Sequence, residues 1–303
     1  MIRLVEAGAQ TTVQDLGRPG HLRYGIPPSG PLDPWSFILA NRLVGNDDSA
    51  AGLECTVLGP RLEITEAGAI AVTGAVMPFT VNDRETPMWT TVPVAAGDVV
   101  RLGPARAGVR AYVAFAGGIN TPLALGARAT YLRGRLGGLE GRALKRGDTL
   151  TLFSAPVASK RRVRPAAIPE LGDEPVLRAV LGPQADRFTG EGIRTWASSA
   201  YEMLPQSDRM GARLRGPRIA HGRGHDIISD GIALGSIQVP GDGQPIVLLA
   251  DRQTTGGYTK LATVCSADVG RLAQVRPGGR VRFRIVELGE AHEALRHWKA
   301  SLA

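Results

Sequence analysis

The sequence predicts a mainly β protein of two similar domains with a few short helices, and three observations carry that reading. Segments that alternate apolar and polar residues with a two-residue period dominate the chain. Its 39 glycines and 21 prolines are spread along 303 residues, as many tight turns require. An internal echo then divides it. Residues 143–152 and 273–283 each place an apolar residue, a basic turn and a glycine before an alternating strand.

The elements follow in order. Residues 61–65, 149–153 and 281–286 alternate, as half-buried strands do, whereas 111–115 and 246–250 are near-continuous apolar runs suited to strands buried on both faces. Asp33 before Pro34 is a helix start: the carboxylate can cap free N–H groups, proline suits the first helical position, and Gly45 ends the element. Ser266 and Asp268 open a short helix through Leu272, closed by Pro277 and Gly278, and residues 289–302 form a terminal amphipathic helix. Residues 59–62 echo 216–219. The stretch 154–175, rich in proline, alanine and charge without periodicity, reads as a linker. The expected domains are therefore 1–165 and 166–303.

Composition excludes several function classes. With 43% hydrophobic and 21% charged residues the chain can bury a core, built mostly of aliphatic residues because only six Phe, five Tyr and four Trp are present. A net charge of +8 raises nucleic-acid binding, but only four of the 36 basic residues are lysines, the arginines are scattered, and no aromatic-interleaved basic stripe occurs. The densest run, 160–164, lies beside Pro165 in the linker. Nucleic acid is not an expected partner. Cys55 and Cys265 are too far apart in sequence to suggest a metal cluster or disulfide framework. The first residues lack the apolar stretch of a signal peptide, and no run approaches the ~18 apolar residues of a membrane span. The expected compartment is the cytoplasm, with no membrane partner.

Standard cofactor devices are missing. There is no phosphate loop, no dinucleotide fingerprint, no nucleophile elbow and no Met-Lys-Met segment for biotin. The glycines of 134–141 have the wrong spacing and read as a wide loop. His221 and His225 have zinc-protease spacing, but Gly222 and Gly224 oppose the helix that would align them. Any ATP or biotin would need a partner chain to hold it.

Three stretches are denser in polar groups than packing requires. The first contains Gln14, Asp15 and Arg18 and continues to Ser29; the second is Ser207, Asp208, Arg209; the third runs from Ser229 through Gln238 and Gln244 to Lys260. In the third, Asp251, Arg252, Gln253 and Thr254 follow a buried strand directly, with glycines that permit close backbone approach to a ligand. Lys260 stands out in a chain that otherwise uses arginine, as a site needing a compact ammonium would demand. The alternative for Asp251 and Arg252 is a structural ion pair. For Gln14, Asp15 and Arg18, a structural turn serves as well as ligand contact.

These stretches carry a family resemblance. Thr-Thr-Val-Gln-Asp-Leu-Gly-Arg-Pro-Gly at 11–20, Pro-Pro-Ser-Gly-Pro-Leu-Asp at 27–33, Ala-Asn-Arg-Leu-Val-Gly-Asn at 40–46, Ser-Asp-Arg-Met-Gly at 207–211 and Ala-Asp-Arg-Gln-Thr-Thr-Gly-Gly-Tyr-Thr-Lys at 250–260 resemble the family of 5-oxoprolinase C subunits. That family is also labelled allophanate hydrolase subunit 2 or biotin-dependent carboxyltransferase family protein, and the likeness spans roughly 3–286. It implies two cyclophilin-like β-barrel domains, and a complex with a 5-oxoprolinase B subunit of related fold and a lactam-binding A subunit. The implied reaction is cleavage of 5-oxoproline to glutamate driven by ATP, with magnesium, in the complex. The resemblance also implies kinship with the carboxyltransferase part of urea carboxylase, which works with carboxybiotin.

A lactam, urea and the ureido ring of biotin all present N–H beside C=O. A site can activate such a group with a carboxylate that accepts the N–H and a cation that polarises the oxygen. The chemistry assigns these roles to Asp251 and Lys260. Gln238 and Gln244 orient the group, and Arg252, Gln253, Thr254, Ser207, Asp208, Arg209, Gln14, Asp15, Arg18 and Ser29 are the remaining candidates for substrate contact. Two other functions fit the same residues: a carboxyltransferase component using biotin carried on another chain, and a non-catalytic subunit that regulates another protein.

Overall fold

The computed structural model describes residues 1–155, 159–172 and 174–302. The protein is mainly β with short helices, and its contacts divide it into two units. The first comprises Met1–Arg18 and Ser29–Leu171, the second Pro19–Pro28 and Gly172–Ala303. The division expected between 165 and 166 differs on two points: residues up to Leu171 stay with the first unit, and Pro19–Pro28 go with the second. One reason for the first difference is backbone pairing. Thr91 N–H donates to the Arg161 carbonyl at 2.9 Å and Val163 N–H to the Trp89 carbonyl at 3.0 Å, which stitches much of the expected linker to the first unit. Residues 156–158 and 173 of that linker lie outside the described residues.

Two antiparallel sheets build the first unit. In one, the order is Thr149–Leu150, Ile2–Glu6, Arg61–Ile64, Val99–Leu102, Phe79–Val81, Arg84–Glu85. In the other it is Gln10–Gln14, Gly52–Thr56, Ala107–Phe115, Gly68–Val76, Val92–Val94. Alternation does what the period requires: Leu62 and Ile64 point inward while Arg61 is exposed. The central strands Ala107–Phe115 and Gly68–Val76 are mostly apolar because both faces are covered along most of their length. Ile70, Val72, Val113 and Phe115 join the core that also holds Ile2, Leu4 and Leu62. Ala69, Ala71, Tyr112 and Ala114 meet Phe37, Ala40 and Leu43 of helix α1, Pro34–Leu43.

Helix α1 starts as its sequence specifies. Asp33 accepts from Ser36 N–H at 3.2 Å and Ser36 O–H at 2.7 Å, Pro34 opens the helix, and Gly45 adopts φ +79° after it. Buried Glu54 accepts from Leu32 N–H and the Tyr112 hydroxyl, each at 2.9 Å, which fixes the approach to the cap. Replacing Asp33 by alanine is expected to cost about 0.5–2 kcal/mol in a denaturant titration.

The second unit closes a seven-stranded barrel: Val176–Leu181, Lys260–Val264, Ser236–Gln238, Ile246–Leu248, Gly211–Arg215, Ala200–Met203, Arg280–Ile285. Parallel pairing of the last strand with the first, Val176 opposite Arg282, completes the ring. The repeated basic turn has one geometry in both units: Gly147 at φ +88° precedes Thr149–Leu150, and Gly278 at φ +85° precedes Arg280–Ile285.

Helix α2, Gly190–Ser198, was not expected from the sequence, since Gly190 and Gly192 weaken its signal. Thr189 caps it, accepting from Gly192 N–H at 2.9 Å, and buried Trp196 stacks on Phe283 at 5.0 Å. Helices α3, Ser266–Ala273, and α4, Leu288–Ala300, lie where the capping and amphipathic patterns place them.

Asp268 of α3 ties the helix to the barrel. Its oxygens accept from Arg178 N–H at 2.8 Å, Nε at 2.9 Å and Nη2 at 2.7 Å. Burial pushes this carboxyl up, but the bonds from Arg178 outweigh burial and hold it below the usual carboxylate range. A depressed folded-state pKa contributes stability that is present above the unfolded value and lost as pH falls through the folded one. Replacing Arg178 by methionine leaves burial the dominant influence on Asp268, so the variant is expected to lose stability at neutral pH and to recover part of it as acid protonates the carboxyl, measured by urea titration at neutral and acid pH.

Candidate functional site

Gln14, Asp15 and Arg18, at and after the end of strand Gln10–Gln14, gather on one loop of the first unit. Gln14 Nε2 donates to the Thr130 carbonyl at 3.2 Å and to Thr12 Oγ1 at 3.0 Å. Asp15 accepts backbone N–H groups from Gly17 at 2.9 Å, from Ala129 at 3.1 Å and from Arg128. Arg18 donates to the carbonyls of Ala124, at 3.3 Å, and Ala129. Asp15 and Arg18 thus clamp backbone, which is the structural-turn alternative. Gln14 Oε1 and Ser29 Oγ are buried without a hydrogen-bond partner, and Ser29 sits at φ +58°. A cleft of ≈ 350 Å³ elsewhere in this unit, lined by residues including Ile2, Ile64, Val94 and Phe115, contains none of the residues singled out by their chemistry.

In the second unit the 207–211 segment is a turn that serves the barrel. Ser207 Oγ accepts from Arg213 N–H at 3.0 Å, and Asp208 accepts from Met210 N–H at 2.8 Å and Gly211 N–H at 3.1 Å. Gln244 pairs both backbone groups of Gly216, at 2.8 and 3.2 Å, as a neighbouring strand would. These contacts are structural.

Asp251 and Lys260, expected to act together on one ligand, have different ion-pair partners. Asp251 follows strand Ile246–Leu248 by a few residues and meets Arg209 in a forked ion pair, Nε to Oδ2 at 2.8 Å and Nη2 to Oδ1 at 3.3 Å. The side chains of Arg209 and Asp251 are 6% and 4% exposed. The alternative pair with Arg252 does not form. Arg252 is buried and donates to the carbonyls of Ile232 at 3.0 Å and Leu249 at 3.3 Å, making no ion pair among the described residues. Burial pushes its guanidinium below the ordinary value.

Lys260 opens strand Lys260–Val264 and lies opposite Gln238 of Ser236–Gln238, so the two are cross-strand neighbours in the barrel wall. Both are buried. Gln238 Oε1 faces Gln253 Nε2 at 3.4 Å, but Gln238 Nε2 has no acceptor. Across this pair runs an exposed two-stranded ribbon, Asp226–Gly231 with Thr255–Tyr258. Its base is fixed by Ile232 N–H donating to the Thr254 carbonyl at 3.0 Å. Asp230 and Gly256 are partners in the ribbon. Asp230 reaches Lys260 Nζ at 2.7 Å, and that bond holds the Asp230 carboxyl below its usual range. A Cβ at Gly256 would lie 2.7 Å from both Gln238 Nε2 and Ile232 Cδ1, so the ribbon passes close over these two side chains.

The candidate site is therefore the cluster of Gln238, Gln253, Lys260 and Asp230 under the ribbon. It offers an unsatisfied N–H and a buried ammonium, a pairing suited to a carbonyl or carboxylate oxygen. Asp230 is the residue sequence reasoning missed. It lies 30 positions from Lys260, and no local spacing announces the pair. His221 and His225 pack ring to ring at 6.0 Å, His221 Nε2 meets the Val239 carbonyl at 3.0 Å, and no group of three metal-ligating side chains occurs among the described residues.

Residues 24–285 match the family described as carboxyltransferase domain, subdomain A and B. The 5-oxoprolinase C subunit of Escherichia coli (strain K12) is 37% identical over 298 residues, covering 97% of this chain and 94% of that protein. The 5-oxoprolinase C subunit of Haemophilus influenzae is 35% identical over 291 residues, covering 96% and 93%. Among solved structures, the K. lactis urea amidolyase superposes with a TM-score of 0.95 at 32% identity, over 99% of this chain but 20% of that one. The chain belongs to the family of 5-oxoprolinase C subunits, one of carboxyltransferase domains with subdomains A and B.

Proposed function

We propose that the chain is a component of an ATP-dependent 5-oxoprolinase, which adds water across the lactam C–N bond of 5-oxoproline to yield glutamate. The observation that carries this reading is the buried Gln238 Nε2 without an acceptor beside the Lys260 ammonium. Together they suit a lactam oxygen on which charge develops as the carbonyl is attacked. Lys260 polarises that oxygen, Gln238 orients it and Gln253 holds Gln238. Asp251 is assigned to positioning Arg209 instead of touching the substrate.

ATP with magnesium is assigned to the complex, since this chain carries no phosphate loop. Near-full-length similarity to proteins named as a C subunit supports partner chains, taken here as the A and B subunits. None of the helices among the described residues is long and apolar enough to cross a membrane, and the cytoplasm is the proposed location. The assay combines the purified subunits with 5-oxoproline and ATP and measures glutamate and ADP. Absence of glutamate from a correctly assembled complex rejects the reading.

A second reading is favoured by the fit to the K. lactis urea amidolyase: a carboxyltransferase component that takes carboxybiotin from another chain and acts on a urea-like group. Supplying the complex with a carboxylated biotin carrier and urea, then following carboxyl transfer, separates the two.

A further inference from the structure

The ion pair between the ribbon and the barrel wall is lopsided. The Lys260 side chain is 4% exposed and cannot leave the barrel wall, whereas Asp230 is 56% exposed on the ribbon. The ribbon itself has few means of staying closed. It is only two strands wide, its register shifts between Asp226 and Asp230, most of its residues are exposed, and Ile228 is 94% exposed. Two-stranded ribbons are marginal by themselves. An exposed carboxylate can return to water at little cost. A buried ammonium stripped of its partner cannot, and needs another acceptor in its place.

We propose that Asp230 is a displaceable latch over the site: its carboxylate holds the place on Lys260 Nζ that the lactam oxygen of an incoming ligand takes when the ribbon lifts. Any ligand that uses Lys260 must first displace this carboxylate, so the latch lowers the affinity of every such ligand. The second donor is already in place. Gln238 Nε2 is buried, has no acceptor and lies directly beneath Gly256, so lifting the ribbon uncovers it together with Lys260. The latch rests on the reading that Lys260 faces the ligand, and it goes further by naming what guards it.

The test uses the full chain and two readouts. Asp230→Asn is the informative variant, because asparagine Oδ1 can keep the bond now made from Gly231 N–H at 2.7 Å while losing the charge. Labelling with an amine-directed acetylating reagent, read by mass spectrometry at Lys260, is expected to rise about three- to fivefold in Asp230→Asn, the range of an ion pair with one exposed partner. In the same variant, 5-oxoproline is expected to protect Lys260 at a several-fold lower concentration than in the unsubstituted chain. 2-Pyrrolidone, which presents the same lactam oxygen without a carboxylate, is expected to gain as well. Unchanged labelling of Lys260 in Asp230→Asn overturns the latch, as does protection by 5-oxoproline at the same concentration in both chains. Increased labelling with no protection by 5-oxoproline, but protection by acetate, keeps the latch and removes the 5-oxoproline reading instead.

Discussion

Asp251→Ala is expected to destabilise the second unit by about 3–5 kcal/mol, the usual effect of removing one member of a buried ion pair. The Arg209 guanidinium, 6% exposed, then remains in the protein interior without the carboxylate that now neutralises it. The penalty comes from the stranded charge more than from the lost attraction. The double variant Arg209→Met, Asp251→Leu removes both charges and is therefore expected to recover most of the loss. Urea titration of the single and double variants measures both effects. A single variant that stays stable but loses turnover in the assembled complex would return Asp251 to the chemistry.

Lys260→Met is expected to do the opposite. Turnover of the complex falls by about 10²–10³, the cost of removing one preorganised donor at a developing oxyanion. The unfolding midpoint stays close to that of the unsubstituted chain, because the charge left behind is Asp230, which is already largely in water. Methionine keeps most of the volume of the buried stem. Two buried charged residues nine positions apart therefore separate cleanly: Asp251 governs stability and Lys260 governs rate. The measurement is glutamate formation set against a denaturation curve on the same preparations. Near-normal turnover in Lys260→Met removes the lysine from the mechanism.

Local patterns decided much of this protein. The mainly β class, helix α1 with its Asp33 cap, helices α3 and α4, and the apolar strand at 111–115 all follow from periodicity and end signals within about ten residues. The polar loops at 11–20, 207–211 and 250–260 were equally visible as segments, and the family was legible in them. Their division of labour was not. Asp15 and Arg18 clamp a loop more than 100 residues away, Asp251 crosses to Arg209 over 42 positions, and Lys260 finds Asp230 over 30. Barrel closure and strand register make those partnerships, and neither is written in the spacing of side chains along the chain. A carboxylate in a sequence announces only that it will need a partner. Which cation reaches it, and whether water does too, is settled when distant strands meet.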